Sequence, residues 1–477
     1  MNEQRPHIIH ALIPVGVLVA LLSFNVIFVF GDDALAGSNQ MILLISAAVA
    51  GAIAWANGTS WETLIHRVGQ NIADTTPSLL ILLLIGSLAG TWMISGIVPA
   101  MISYGLQLLH ASYFLPATAV ICAIVSLATG SSWSTVATVG IALLGIGQAL
   151  GMNEAMVGGA IISGAYFGDK LSPLSDTTNL APAMAGTDLF THIRYMLYTT
   201  IPSMLLALVA YAAMGWFIEI PETALNASEI TSEIAQLFNI SPWLFLVPIA
   251  VLGMIIKRVP AVPALFIGTL LGALAAVVFQ VNLLQGMAAE EGAMDMYRLI
   301  MNAMTVDVQI PATHPILADL LSTGGLSGML STIWLIVCAM VFGGVMEAAG
   351  YLQLLAEALI RGVKSVLGLV SSTVGTCIML NLTASDQYLA IVVPGKMYAP
   401  IYKQRGLKPE VLSRTLEDSG TVTSVLIPWN TCGATQAGIL GVATWAYAPF
   451  AIFNWLSPLM SLVFAGLNIR IRKTETA

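Results

Sequence analysis

Charged residues are scarce in this chain. Only 9% of its 477 residues are charged, against about 25% in soluble globular domains. Cysteine is scarce too: four cysteines stand alone in apolar segments without a CxxC pair, which argues against a disulfide framework or a zinc site. The formal net charge of −8 argues against nucleic acid as a partner. With 57% hydrophobic residues, the chain is predicted to be an all-α polytopic membrane protein.

Long apolar runs supply the predicted membrane spans. A spanning helix needs about 20 apolar residues. The run 8–30 has that length and lacks an A-x-A-like cleavage site, so we expect it to stay as the first span and not to be removed as a signal. We predict ten spans, five in each half of the chain: 8–30, 39–57, 77–96, 153–186, 194–218, 241–257, 261–281, 327–349, 411–442 and 446–469.

Two further apolar stretches, 112–150 and 366–400, are interrupted by polar clusters. The interruptions are TGSSWST (129–135) and NLTASDQ (381–387). So many hydroxyl groups are poorly suited to lipid but suit the tip of a re-entrant hairpin that is buried in protein. We therefore predict one re-entrant hairpin in each half.

The basic residues indicate the orientation of the spans. If the N-terminus is cytoplasmic, all but two of the 17 Lys and Arg residues fall on the cytoplasmic side; Arg298 falls outside and Lys170 lies at membrane depth. This distribution agrees with the positive-inside rule. Both termini are therefore predicted to be cytoplasmic.

The two halves resemble each other at a nearly constant offset. TGSS (129–132) aligns with TASD (383–386), 254 positions later, and SPLSDT (172–177) aligns with IPWNTC (427–432), 255 positions later. Five spans per half require the second copy to enter the membrane inverted. Inverted repeats with helices broken at the midplane are a transporter architecture. We predict the following division: a first repeat at 1–220, an extracellular linker at 221–240 and a second repeat at 241–477.

Polar segments also interrupt two of the predicted spans. They are SPLSDTTN (172–179) and IPWNTCGA (427–434), one in each half. Pro173 and Pro428 each remove a backbone donor and disfavour helix in the preceding residue, so the helix should open there. Open half-helix ends expose carbonyl groups that ligate Na⁺ and N–H groups that hold anions. We expect the repeat symmetry to bring these breaks and the hairpin tips together at the centre of the molecule.

Three aspartates in these segments are the leading candidates for an ion site. A charge at bilayer depth costs at least about 2.5–3.5 kcal/mol and is a functional candidate by default. Asp176 and Asp386 are predicted to bind Na⁺ or carry protons, although Asp176 at SDTT also fits a helix N-cap. Asp169 either shares that role or forms an ion pair with Lys170 that holds the break.

The remaining candidates are secondary charges and neutral oxygens. Asp418, beside Glu417, is either a second proton carrier or a polar contact between helices. Glu347 either takes part in transport or extends to the membrane interface, and Lys170 is the basic candidate. The neutral oxygens predicted to complete a Na⁺ site at Asp176 and Asp386 come from Ser132, Ser175, Thr177, Asn179, Ser385, Asn430 and Thr431.

The signature segments resemble a known family. SGAYFGDKLSPLSDTTNLAPAMAGTDLFTHIRYM (163–196), TGSSWSTVATVG (129–140) and IPWNTCGATQAG (427–438) are similar to those of bacterial NhaC-type Na⁺/H⁺ antiporters, within the wider ion-transporter superfamily. The resemblance implies antiport across the bacterial cytoplasmic membrane, with Na⁺ and H⁺ as cargo, no cofactor and no enzymatic activity. The family also contains malate–lactate exchangers coupled to Na⁺ and H⁺, so a small organic acid stays open as a substrate, and a homodimer is equally open.

The residues favour a single site that two cations share. A protonated aspartate does not attract Na⁺, and Na⁺ arriving with its neutral ligands displaces the proton, so mutual exclusion gives antiport. Gly168-Asp169 within a span also fits an intramembrane aspartyl protease. That function is disfavoured because such a protease needs a partner Tyr-Asp motif in another span, and the sequence has none.

Overall fold

The computed structural model describes residues 7–30, 37–217, 227–288, 293–313 and 315–474. This part of the chain is built from helices apart from one short antiparallel ribbon, in which Val308–Gln309 pairs with Ser322–Thr323. A helix satisfies its backbone hydrogen bonds within one segment, which is what the hydrocarbon core requires of a chain this apolar. The prediction of a helical, multi-pass membrane protein is confirmed.

Nine of the described helices are long and apolar enough to cross a bilayer, and up to eleven spans result if two bent helix pairs each count as one. The pairs are Glu229–Leu237 with Pro242–Ile256, bent by 86°, and Thr444–Phe450 with Ile452–Gly466, bent by 57°. The predicted spans 153–186 and 411–442 are broken helices, as their polar interruptions indicated. The nine helices do not coincide with the ten predicted spans: Ala111–Thr129, Ser132–Ala149 and Val366–Thr383 lie in the stretches predicted to be re-entrant hairpins, whereas 153–186 and 411–442 are not among the nine.

The first half comprises ten helices before residue 218. They are α1 (Ile8–Phe24), α2 (Ser38–Ala56), α3 (Trp61–Ile94), α4 (Ile97–Leu108), α5 (Ala111–Thr129), α6 (Ser132–Thr135), α7 (Ile141–Ala149), α8 (Glu154–Leu171), α9 (Asp176–Ala185) and α10 (Leu189–Phe217). Two π-helical turns, Asn25–Phe30 and Val136–Gly140, extend α1 and join α6 to α7.

The second half begins after residue 226. Its elements are α11 (Ala227–Leu237), α12 (Leu246–Ile256), α13 (Ala261–Phe279), α14 (Val281–Met287), α15 (Ala293–Thr305), β1 (Val308–Gln309), α16 (Pro315–Leu320), β2 (Ser322–Thr323), α17 (Leu330–Ala348), α18 (Tyr351–Ile360), α19 (Val366–Thr383), α20 (Leu389–Gln404), α21 (Pro409–Leu416), α22 (Val422–Ser424), α23 (Thr431–Leu440), α24 (Thr444–Tyr447) and α25 (Ile452–Gly466). A π-helical turn, Glu417–Thr421, joins α21 to α22, and 3₁₀ turns occupy Pro242–Phe245, Ser327–Met329 and Ala448–Phe450.

The predicted linker at 221–240 contains a structured element. Residues 221–226 lie outside the described part of the chain, but α11 packs Ile230 and Ile234 into the hydrophobic core. The segment therefore contributes to the packed protein and does more than connect the two halves.

Left-handed backbone positions recur in the two halves. Four positions with positive φ in the first half have a counterpart with a similar φ 254 or 255 residues later. Glycine is favoured at such positions because it lacks a Cβ. The pairs are Gly96 (79°) with Gly350 (70°), Gly130 (71°) with Ser385 (59°), Gly151 (71°) with Gly406 (65°), and Gly186 (84°) with Gly441 (68°). The sequence repeat thus extends to the backbone turns, while the inverted orientation of the second copy stays a prediction.

Glycines allow α8 to approach α5 closely. A Cβ on Gly164 would lie 2.1 Å from the carbonyl oxygen of Ala119, and one on Gly168 would lie 2.3 Å from that of Ala123. Small residues at a helix interface let two backbones come together within a membrane. The two glycines therefore hold α8 close against α5, the first arm of the apolar stretch 112–150.

Gly164→Ala is expected to destabilise the protein by about 1–3 kcal/mol, because the new methyl group must push α8 away from the Ala119 carbonyl. Thermal unfolding of the purified protein in detergent measures this. Gly253→Ala is the matched control, since a Cβ there meets nothing within 4 Å and alanine favours helix over glycine by about 0.5–1 kcal/mol. Equal unfolding temperatures for the two variants would contradict the packing described for α5 and α8.

Candidate functional site

The tip of the first hairpin meets the break between α8 and α9. A Cβ on Gly130 would lie 2.5 Å from Cβ of Leu174, so only glycine fits the tip at this contact. Asp169, buried near the end of α8, accepts hydrogen bonds through Oδ2 from the Ser132 backbone N–H (3.2 Å) and the Ser132 hydroxyl (2.7 Å). Ser132 begins the helix that continues to Ala149, so its positive N-terminal end faces the carboxylate.

The second half repeats this arrangement with other residues. The backbone N–H of Thr431, the first residue of α23, donates to the carbonyl of Ser385 at the second hairpin tip (2.9 Å). Asn430 caps α23 by accepting the N–H of Cys432 (3.0 Å), and its side-chain amide donates to the carbonyl of Asn381 (3.1 Å). Ser385 and Asn430 are both buried, so tip and break are enclosed in protein.

The broken helix in the first half is held open by its own side chains. Ser175 is the N-cap of α9 and accepts the N–H of Thr178 (3.5 Å). The amide of Asn179 donates to the carbonyls of Pro173 (3.0 Å) and Ser175 (2.7 Å). The alternative assignment of Asp176 as the N-cap is therefore wrong, because Ser175 occupies that position. Asp176 is instead the exposed first residue of α9.

Lys170 forms an ion pair across the two halves. Its ammonium group contacts Asp418 and donates to the hydroxyl of Ser457 (2.8 Å), and both charged side chains are fully buried. Asp418 also accepts the hydroxyl of Thr199 (2.8 Å). The predicted alternative of an Asp169–Lys170 pair is wrong, because the adjacent side chains diverge and the lysine partner comes from 248 positions further along the chain.

A second contact between the halves involves Glu417, which was named above only as the neighbour of Asp418 and was not among the predicted site residues. The hydroxyl of Thr177 donates to Oε1 of Glu417 (3.0 Å), and the glutamate is fully buried. The signal in the sequence was the pair Glu417-Asp418 within an apolar span. The sequence does not show where the Lys170 side chain points. It therefore could not reveal which of the two carboxylates forms the ion pair.

Glu347 lies apart from these groups. It is near the end of α17 and forms an ion pair with Arg67 of α3, with 17% of its side chain and 34% of that of Arg67 exposed. Glu347 is therefore ion-paired with a residue of the first half, and its partner Arg67 lines the larger cavity described next.

A cavity of about 940 Å³ joins the first-half break to the second hairpin. Asp169, Asp176 and Asp386 all line it, and Asp386 accepts the N–H of Leu389 at the start of α20 (2.9 Å). Five neutral candidates also line it, and these are Ser132, Ser175, Thr177, Asn179 and Thr431. Further lining residues come from α3 and the turn between α12 and α13, among them Arg67, Asp74 and Arg258.

A smaller cavity of about 690 Å³ also adjoins α23. Ala434, Ala437 and Gly438 of this helix line it, together with Pro428 of the break. Thr431, at the N-terminal end of the same helix, lines the larger cavity. Helix α23 therefore contacts both cavities, the larger one at its N-terminal end and the smaller one further along the helix.

Residues 164–469 match the family described as the Na⁺/H⁺ antiporter family. The chain belongs to this family. The predicted resemblance is therefore confirmed.

Two bacterial relatives cover nearly the whole chain. The Na⁺/H⁺ antiporter NhaC of Alkalihalophilus pseudofirmus is 35% identical over 436 residues, which are 91% of each chain. The malate-2H⁺/Na⁺-lactate antiporter of Bacillus subtilis is 36% identical over 467 residues, covering 97% of this chain and 96% of that protein. Among solved structures, the YdaH transporter of Alcanivorax borkumensis is 13% identical with a TM-score of 0.39, covering 96% of this chain and 99% of that one.

Proposed function

We propose that the protein exchanges Na⁺ for H⁺ across the bacterial cytoplasmic membrane. The observation that carries this proposal is the buried Asp169 carboxylate, held by Ser132 of the hairpin tip and lining a cavity that residues of both halves form. Membership of the Na⁺/H⁺ antiporter family supports the choice of cargo. A relative named Na⁺/H⁺ antiporter NhaC supports it further.

The cavity offers oxygen ligands of the kind that a hard cation prefers. Asp169, Asp176 and Asp386 supply carboxylates, and Ser132 and Ser175 supply hydroxyl oxygens. Thr177 supplies a further hydroxyl oxygen, because donating its hydrogen to Glu417 leaves the lone pairs of that oxygen available to a cation. A carboxylate that has bound a proton no longer offers a negative charge to Na⁺, so one site releases one cation as it takes the other.

The orientation follows from the charges at the cavity. Arg67 and Arg258 line the larger cavity and belong to segments predicted to be cytoplasmic under the positive-inside rule. The larger cavity is accordingly the cytoplasmic route to the site, and the smaller cavity, which contacts α23 further along, is the start of the external route. Both termini are cytoplasmic in this arrangement, with repeats at 1–220 and 241–477 inverted about the central polar segments.

Alternating access requires one part of the protein to move against another. The Lys170–Asp418 and Thr177–Glu417 contacts join the two broken helices. Each hairpin tip contacts a break through the Ser132–Asp169 or the Ser385–Thr431 hydrogen bond, so hairpins and broken helices form one core. Spans one and two and their repeat partners form the surrounding frame. Movement of the core relative to that frame opens the site to one cavity at a time.

The test uses the purified protein in liposomes that carry a pH gradient. Addition of NaCl is expected to collapse the gradient, whereas choline chloride at the same concentration is not, because choline does not fit among the carboxylates. The fluorescence of a pH-sensitive dye measures the collapse. Na⁺/H⁺ exchange would be excluded if both salts collapsed the gradient equally. It would also be excluded if liposomes with and without the protein responded equally to NaCl.

The size of the cavity favours an organic acid as a second candidate cargo. A volume of about 940 Å³ far exceeds the needs of one Na⁺, and the Arg258 side chain at its wall is suited to a carboxylate, whereas Arg67 is already paired with Glu347. The relative from Bacillus subtilis is named for malate and lactate. Counterflow of radiolabelled lactate against malate in the same liposomes tests this candidate, and its absence alongside Na⁺/H⁺ exchange would exclude it.

A further inference from the structure

Glu417 is a fully buried carboxylate without an ion-pair partner among the described residues. It begins the π-helical turn Glu417–Thr421. The hydroxyl of Thr177 donates to Oε1 (3.0 Å), and the buried hydroxyl of Thr421, four positions along the same turn, also interacts with the carboxylate. Its hydrogen-bonding partners are thus neutral hydroxyl groups, and a charge buried in this way needs an explanation.

Neither neighbouring cation forms an ion pair with Glu417. Lys170 is paired with Asp418 and bonded to Ser457. The guanidinium of Arg414, three positions before Glu417, lies 4.5 Å from the centre of the Tyr195 ring. The central carboxylates also differ in their partners, since Asp169 accepts two hydrogen bonds from Ser132 while Asp418 has the lysine.

An ionised carboxylate without a counter-charge is costly at this depth. The penalty for burying an ion without a paired counter-charge is large, and hydrogen bonds from two neutral hydroxyl groups offset only part of it. The enclosed state of Glu417 therefore favours a small cation bound to the carboxylate. That cation is either H⁺ or a Na⁺ that Thr421 helps to ligate.

We propose that Glu417 is a second cation-carrying carboxylate of the transport cycle, separate from the site at Asp169 and taking H⁺ or Na⁺. This rests on the proposed exchange function. Thr177 lines the larger cavity and contacts Glu417, so it provides the route from the cavity to this carboxylate. Thr177 belongs to the first-half break and Glu417 to the second half. Binding of a cation to Glu417 therefore changes the hydrogen bond that joins the two halves at this point.

Three variants of the full chain in liposomes test the proposal. Glu417→Gln removes the charge and keeps the shape, Glu417→Asp keeps the charge, and Glu357→Gln is the control at an exposed glutamate of α18. Three readouts are compared: Na⁺-driven proton movement, ²²Na⁺/Na⁺ counterflow, and ²²Na⁺ bound per protein at equilibrium.

If Glu417 carries H⁺, Glu417→Gln is expected to lower Na⁺-driven proton movement about tenfold or more while counterflow stays within about twofold of wild type. If it carries Na⁺, Glu417→Gln is expected to bind one Na⁺ fewer per protein and to lose counterflow as well. In either case Glu417→Asp should restore much of the lost activity and Glu357→Gln should match wild type.

The proposal is overturned if Glu417→Gln matches wild type in all three readouts. It is also overturned if both activities fall with unchanged Na⁺ binding, or if Glu417→Asp restores nothing, since either result assigns the residue to folding. If the wild-type protein moves no protons in response to Na⁺, the exchange function and this inference are both overturned. If the wild type exchanges normally and Glu417→Gln has no effect, only this inference is overturned.

Discussion

Asp169→Asn is expected to lower Na⁺-driven proton movement by at least about 100-fold. The substitution keeps the shape of the side chain but removes its charge, and attraction between two unit charges 4 Å apart amounts to about 4 kcal/mol in a partly shielded protein site. An amide also cannot exchange a proton for Na⁺. Both halves of the proposed exchange therefore fail at once.

Dye-monitored ΔpH collapse across a range of NaCl concentrations measures this effect. Asp307→Asn is the matched control, since Asp307 is exposed and lies outside both cavities. Asp176→Asn and Asp386→Asn should have smaller effects than Asp169→Asn, because Asp176 is exposed and Asp386 is only half-buried. Normal exchange by Asp169→Asn would remove this carboxylate from the transport site, and normal exchange by all three variants would refute the assignment of the cavity.

The second large effect is on stability. Lys170→Met is expected to destabilise the protein by about 3–5 kcal/mol, because it leaves Asp418 ionised and fully buried without its counter-charge. The loss should appear as a lower unfolding temperature and a lower yield of monodisperse protein in detergent. The double variant Lys170→Met/Asp418→Leu should recover most of this stability, since replacing both members of a buried pair with apolar groups is often neutral.

A surface pair provides the control for this prediction. Arg298 contacts Asp295 one helical turn away, and 73% of the arginine side chain is exposed. Arg298→Met should change stability by less than about 1 kcal/mol, because exposed pairs are screened by water. If Lys170→Met were no more destabilising than Arg298→Met, the ion pair between the two halves would not contribute to the fold as described.

Several local features could be predicted from the sequence. Pro173 and Pro428 marked the helix breaks, which lie between Leu171 and Asp176 and between Ser424 and Thr431. The offset of about 254 residues anticipated matched turns such as Gly130 and Ser385. These features depend on residues close together in the chain, where hydrophobic length, missing backbone donors and glycine conformations act directly.

The partners of the charged groups could not be predicted in this way. The sequence favoured Asp176 and Asp386 as the ion site, whereas the structure buries Asp169 against Ser132 and leaves Asp176 exposed. Adjacent residues on a helix point in different directions, so Asp169 and Lys170 have different partners in spite of being neighbours.

The sequence by itself determined that this chain crosses a membrane repeatedly, that its helices break at polar segments in each half, and that it belongs with cation antiporters. Only the tertiary structure decided that Lys170 neutralises Asp418 and that Glu417 is left without a cation. The physical reason is that apolar length and helix breaking are local properties of the chain, while the energy of a buried charge depends on groups more than 200 positions away.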